Sequence, residues 1–171
     1  MYKRVLRLLK HRWTSDAAHT LPPPALQRLQ KRVAASEQRH SGEVRLYVES
    51  GLPNSYLLRP HDLPTLTRQR ALTQFGKLRV WDTAHNNGVL IYLLLAEHAI
   101  ELVADRGIDQ YISPRAWDEV VAHLGVALKA GNFEQGLGQA IDAVTAILVQ
   151  HFPLELGEFK TNALPDQPSL G

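Results

Sequence analysis

The chain has 171 residues, 44% of them hydrophobic and 21% charged, which suits one globular domain built on a single core. Cysteine is absent, so a disulfide framework, a thiol nucleophile and any Cys-ligated zinc or iron–sulfur centre are excluded. The net charge of +2 is lopsided: Lys3, Arg4, Arg7, Lys10 and Arg12 precede the first acid, Asp16, and removing these five from the 19 basic residues leaves 14 against 17 acidic ones. The body of the chain is therefore acidic, which argues against a nucleic-acid partner.

Residues 2–13 place Val5, Leu8, Leu9 and Trp13 near helical spacing among basic residues. They read as a short helix docking its apolar stripe on the domain, as an interfacial helix drawn to an anionic membrane surface, or as a partner-binding tail. The apolar fragments Val5-Leu6 and Leu8-Leu9, split by Arg7, are too short for a secretory signal. The longest apolar run, Gly88–Ala96, falls far below the roughly 20 residues of a membrane span. A cytoplasmic protein, at most peripheral to a membrane, is the expectation. Asp16–Pro24 reads as a linker or helix start, which sets off a basic segment 1–21 from a domain at 22–153.

Leu26, Leu29 and Val33 repeat at helical spacing up to Glu37, behind prolines suited to a helix's first turn. Ser41-Gly42 breaks the pattern, and Glu43–Glu49 alternates Val44, Leu46 and Val48 with Arg45, Tyr47 and Glu49. That period of two predicts a strand. Residues 50–62 read as a loop. Leu63–Leu78 is a helix through Leu66, Ala71, Leu72 and Phe75, closing near Gly76. Val89–Leu95 is continuously apolar, as a strand covered on both faces should be, and Ala99–Ala104 returns from it as a hairpin around Glu97-His98. Ser113-Pro114 starts a helix through Trp117, Leu124 and Leu128 that ends at Gly131. Asn132 with Gln135 resembles a capping box ahead of Leu137, Ile141, Val144 and Leu148. From Leu154 the chain is Pro-rich and polar, and residues 154–171 read as a loose tail. The element order predicts a three-layer α/β/α sandwich around a small mixed sheet.

Four segments, taken together, resemble the TPM-domain family. They are Glu37 with His40-Ser41-Gly42-Glu43 and the strand after it; Phe75, Asp82-Thr83 and Asn87-Gly88-Val89-Leu90-Ile91-Tyr92; Glu101 with Ala104-Asp105-Arg106-Gly107-Ile108; and Trp117 with Gly131, Gly136, Ala140-Ile141 and Phe152-Pro153. The resemblance implies a small mixed sheet between helix layers and divalent cations at loops on one edge. It also implies acid phosphatase activity in plant members, and assembly or repair roles beside membrane proteins in others. Where many relatives carry a glycine-flanked acidic loop, this chain has Ala104-Asp105-Arg106-Gly107-Ile108.

The residues themselves narrow the chemistry. The loop Asp82-Thr83-Ala84-His85-Asn86-Asn87-Gly88 precedes the apolar strand, and Asp105 and Asp109 follow the hairpin. Adjacent antiparallel strands bring these loops to one end of the sheet. Oxygen from Asp82, Asn86 or Asn87 could serve a hard cation, calcium or magnesium, and Asp82, Asn86, Asp105 and Asp109 are the candidate ligand set. Against this stand a turn built on Asn87-Gly88 and Thr83, and a carboxylate paired with Arg106. Eight histidines include no recognised metal spacing, and of these only His85 lies beside the loop. A serine-hydrolase elbow, a phosphate-binding glycine loop and an aspartyl-phosphatase DxD start are missing. The expectation is an accessory binding module, cation-binding and working with a membrane-associated protein. A metal-assisted acid phosphatase is the alternative.

Overall fold

The computed structural model describes residues 8–14, 16–154 and 162–171, without the side chains of Asp109, Pro114, Glu119 and His123. Four strands form one mixed sheet in the order β3-β2-β1-β4. β1 (Glu43–Glu49) runs parallel to β2 (Gly88–Leu94) and to the short β4 (Ser169–Leu170), and β2 pairs antiparallel with β3 (Ala99–Ala104). The hairpin turns through a 3-10 turn, Leu95–Glu97, and a left-handed His98. Every residue of β2 is buried, as its unbroken apolar run requires.

Helices α1 (Pro23–Glu37), α3 (Pro114–Lys129) and α4 (Phe133–His151) cover one face of the sheet, and α2 (Leu63–Lys77) covers the other. On the first face Leu29 and Val33 of α1, Leu124 and Leu128 of α3, and Ile141, Val144 and Leu148 of α4 pack on Val44, Leu46, Val89 and Ile91. On the second, Leu66 and Ala71 of α2 pack with Leu90, Tyr92 and Val103, and Tyr56 and Leu57 of a short helical turn seal the rim. This is the α/β/α sandwich expected from the element order.

In the long helices the local chemistry follows the sequence with two exceptions. Asp62 and Ser113 cap α2 and α3, accepting from Thr65 N–H and Ala116 N–H at 2.9 and 3.3 Å. The capping box expected at Asn132 does not form, since that side chain makes no cap hydrogen bond. Leu72, counted among the apolar stripe of α2, is 49% exposed. Gly136 lets α4 approach α3, because a Cβ there would meet Leu128 at 2.8 Å.

Both ends of the chain dock more closely than expected. Ala17 and Leu21 belong to the main core, so the body starts before residue 22. Residues 8–12 are helical, Leu8 packs on the second core, and buried His11 accepts the Leu52 N–H through Nδ1 at 3.0 Å. With Nδ1 an acceptor, Nε2 carries the proton and lies 3.0 Å from Glu97 Oε1, close enough for an electrostatic contact but outside hydrogen-bond geometry. Residues 2–7 of the basic segment lie outside the described residues. At the other end, residues 162–171 are not a loose tail. Arg45, 8% exposed, donates to the carbonyl oxygens of Pro165 and Gln167 and to Ser169 Oγ, and Glu43 accepts from Ala163 and Leu164 N–H. Residues 155–161 lie outside the described set.

Candidate functional site at the hairpin's loop end

Where β1 and β2 begin and β3 ends, three loops converge. Asp105 N–H donates to Gly88 O, Gly107 N–H to Asn86 O, and Glu43 N–H to Asn87 O, at 2.9, 2.9 and 3.4 Å. Two glycines permit the approach. A Cβ at Gly88 would sit 2.0 Å from Val80 O, and one at Gly107 would sit 2.5 Å from Asn86 O. The left-handed residue in the turn is Asn86, with φ of 51°, and not the Asn87-Gly88 pair. Thr83 Oγ1 closes that turn by accepting Asn87 N–H at 3.0 Å.

The four proposed ligands are placed differently. Asp82 faces Arg79 in an exposed ion pair at 2.5 Å. Asn86 Oδ1 accepts from Nε and Nη2 of Arg106 at 3.2 and 3.0 Å. Asp105 is 8% exposed; its Oδ1 accepts the Arg106 backbone N–H at 2.7 Å, while its Oδ2 is buried without a partner. Arg106 therefore meets Asp105 through its main chain and spends its guanidinium on Asn86. The side chain of Asp109 lies outside the described residues. His85 is exposed at the rim.

A fifth residue joins them. Asn87, 1% exposed, donates from Nδ2 to Ser41 Oγ at 3.2 Å, and its Oδ1 is buried with no hydrogen bond. Two buried oxygens without donors thus stand at the same sheet end, on residues that lie one step apart across the ladder. Buried oxygens are ordinarily satisfied, and an orphan loses its hydration without return. A hard cation is the natural complement of a carboxylate and an amide oxygen. The site is lean, however: among the described residues no group of three or more His, Asp or Glu side chains is arranged to hold a metal.

Two polar clusters lie elsewhere in the core and are saturated. Glu49, 4% exposed, accepts two hydrogen bonds from Arg70 Nε and Nη2 and one from Tyr92 OH at 2.6 Å. Gln74, with its amide oxygen turned toward them, accepts from Arg70 at 2.7 Å and Tyr47 OH at 3.2 Å. Burial and then the Glu49 charge push the Tyr92 phenol far above its ordinary pKa, so it remains a donor. Burial works against the Arg70 guanidinium, but Glu49 outweighs it and holds Arg70 above its ordinary value. The second cluster is a Ser–His pair. Ser36 Oγ lies 2.8 Å from His40 Nε2 and 2.6 Å from Thr145 Oγ1, and His40 Nδ1 lies 3.1 Å from Gly42 O. At 4% and 0% exposure the pair is sealed between α1, α4 and β1, where it fastens helices and meets no substrate.

Comparison with known proteins places this architecture. The family profile of the TPM domain matches residues 14–147. The NMR structure of the BA42 protein from the psychrophilic bacterium Bizionia argentinensis is similar at 26% identity and a TM-score of 0.74, covering 88% of this chain and 95% of that one. The N-terminal domain of a protein from P. gingivalis shares the fold at 20% identity and a TM-score of 0.56, over 82% and 86% of the two chains. No curated protein matches. With most of its length under that profile, and with its fold shared with these structures, the chain belongs to the TPM-domain family.

Proposed function

We propose that this chain is an accessory binding module that takes one divalent cation at the loop end of the β2–β3 hairpin. The observation that carries the reading is the buried, unpartnered Asp105 Oδ2; Asn87 Oδ1, at the same end of the sheet, is also buried without a donor. A single carboxylate with neutral oxygens and water gives a weak site, of the order of 1 mM, because affinity for calcium rises with the charge of the ligand set. Magnesium, which demands a tighter octahedron and gives up water reluctantly, binds there more weakly than calcium. Asp82 and Asn86, held by Arg79 and Arg106, act as the rim of the site and not as its first ligands. The working partner is a membrane-associated protein, as in the assembly and repair roles that the family resemblance implies. A phosphatase reading has less support, since the hydroxyls at this end, Ser41 Oγ and Thr83 Oγ1, are engaged in holding Asn87.

The test is a melting series of the full chain in chelator and in rising Ca²⁺ or Mg²⁺, repeated on Asp105→Asn. For a dissociation constant of about 1 mM, 10 mM Ca²⁺ stabilises by about 1.4 kcal/mol. That corresponds to a rise of about 3–6 °C for a domain of this size. The rise is expected to vanish in Asp105→Asn. A melting temperature indifferent to Ca²⁺ through 10 mM, or a rise that survives the substitution, removes the site. Phosphomonoester turnover in the same buffers is expected to stay at background; turnover that depends on Asp105 would replace the accessory reading with the enzymatic one.

A further inference from the structure

β3 ends the sheet, and among the described residues no strand pairs with its outer side. Its register on β2 is Leu90↔Val103 and Ile91↔Leu102, and Asp105 N–H donates to Gly88 O. Antiparallel pairs alternate between exchanging both hydrogen bonds and exchanging none. Asp105, Val103 and Glu101 therefore turn their backbone groups toward β2, and Ile100, Leu102 and Ala104 turn theirs outward. Arg68 Nη1 donating to Leu102 O at 2.6 Å agrees with this assignment. The outward N–H groups of Leu102 and Ala104 are left as a template for another strand.

This edge is the floor of a groove. A cavity of about 790 Å³ runs along residues 101–104, walled by α2 with Arg68 and Leu72 and by α3 with Trp117, Asp118 and Val121. Two features of its lining ask for a ligand. The indole Nε1–H of Trp117, a residue 8% exposed, is buried with no acceptor, whereas Trp ordinarily finds one when buried. Leu72 presents an apolar side chain, 49% exposed, on the α2 wall. The groove holds two acids against one base: Glu101 and Asp118 share it with Arg68, whose guanidinium already serves Leu102 O and Glu101. Burial raises the Glu101 pKa, with Asp118 adding to the rise and Arg68 opposing it.

We propose that the outer edge of β3 is a docking slot for an extended, basic segment of a partner protein, which adds to the sheet as a further strand. Its backbone pairs with Leu102 and Ala104, and its side chains point alternately toward α2 and α3. A lysine or arginine meets Glu101 and Asp118, an apolar side chain covers Leu72, and a carbonyl reaches Trp117 Nε1. The walls select the occupant. A second copy of this chain would bring its own α2 and α3 against them before its β3 reached the floor, whereas a lone strand enters freely. The inference rests on the accessory-module reading, for which it supplies the partner surface, and is independent of the cation at Asp105.

The experiment uses the full chain in chelator, so that failure of the cation site leaves it untouched. The probe is an acetylated, amidated nine-residue peptide alternating valine and lysine. Its controls are the same peptide N-methylated at alternate residues and a valine–glutamate counterpart. Amide hydrogen exchange read by NMR is expected to slow at Leu102 and Ala104 by about tenfold or more with the lysine peptide, and with neither control. Asp118→Lys, at an exposed position, is expected to weaken the lysine peptide about tenfold and to favour the glutamate one. Leu72→Lys provides a second exposed variant, likewise expected to weaken the lysine peptide by placing a like charge on the α2 wall. Equal binding of the N-methylated peptide, protection elsewhere in the chain, or no protection at millimolar peptide would overturn the slot. Protection of Leu102 and Ala104 that grows with protein concentration alone, together with a dimer in sedimentation, would assign the edge to a second copy and overturn the partner.

Discussion

Arg70→Met is the perturbation that interrogates the second core most directly. The substitution keeps the packed stem of the side chain and removes the guanidinium, leaving the Glu49 carboxylate with Tyr92 OH as its remaining charge-assisted donor. The side chains of Arg70 and Glu49 are 11% and 5% exposed, so the abandoned charge has little water to turn to. Breaking one side of a buried pair costs about 3–5 kcal/mol, most of it the uncompensated charge and not the value of the pair. At about 2–4 °C per kcal/mol for a domain of this size, the melting temperature should fall by roughly 10 °C. Tyr92→Phe removes one hydrogen bond to a charge and should lose about 1.5–3 kcal/mol. The triple variant Glu49→Met, Arg70→Met, Tyr92→Phe removes donor and acceptor together. It should recover stability, so that the three single losses exceed the triple loss by about 2 kcal/mol or more. Urea unfolding at 25 °C on the five proteins measures all of this. A loss below about 1 kcal/mol for Arg70→Met, or strictly additive losses, would mean that Glu49 is solvated and that the second face is not closed.

Gly88→Ala forces a Cβ to within 2.0 Å of the Val80 carbonyl oxygen and should destabilise by about 2–4 kcal/mol. Gly76→Ala meets nothing within 4 Å inside a helix and should stabilise by about 0.5–1 kcal/mol; urea midpoints compare the two. Burial disfavours the Glu97 carboxylate, yet its contacts with His11 and Lys10 prevail and hold its pKa below the ordinary value. Stability from this group is therefore present above the unfolded value of about 4.3 and is lost as pH falls through the lower folded one, and Glu97→Gln should flatten the stability–pH curve in that acid window. Ending the chain at residue 161 removes the acceptors of buried Arg45 and should cost about 2–4 kcal/mol, a loss that Arg45→Met partly restores in the shortened chain.

Much of this architecture is written in local pattern, and the departures have identifiable causes. The alternation of Glu43–Glu49 and the unbroken run of β2 fix strand identity, because side-chain period and burial are both properties of the segment itself. What such a pattern misses is burial of polar residues by distant partners. Arg45 and Glu49 alternate with valines and read as solvent-facing. The first is covered by carbonyl oxygens some 120 residues later, and the second by Arg70 on a helix of the other layer. The same blindness makes residues 162–171 look loose, since proline and polar residues say nothing of the guanidinium that waits for their carbonyl groups. At the loop end, hairpin topology correctly brings the residues before β2 to those after β3. It does not say which amide turns inward. Asn86 takes the left-handed position and faces Arg106, and Asn87, adjoining the apolar strand, is the one that is buried. Adjacency to a fully apolar run was the available signal, because the last residue before such a strand shares its burial.

The two ends of β1 show why the loop end, and not the more heavily charged interior, is the place to look for a ligand. At the far end Glu49 has an acceptor's full complement from Arg70 and Tyr92, and Gln74 ties the network to Tyr47. A saturated network of this kind holds a fold in register and has no valence left for anything else. At the near end the backbone is equally well ordered by three cross-loop hydrogen bonds, yet Asp105 Oδ2 and Asn87 Oδ1 remain without donors. The groove on β3 repeats the distinction: its outward N–H groups face no further strand, and the Trp117 indole is unmatched. Folding alone gives no reason to leave buried polar atoms unmatched, because each one lowers stability. Binding does give a reason, since an unmatched buried atom gains most when its complement arrives.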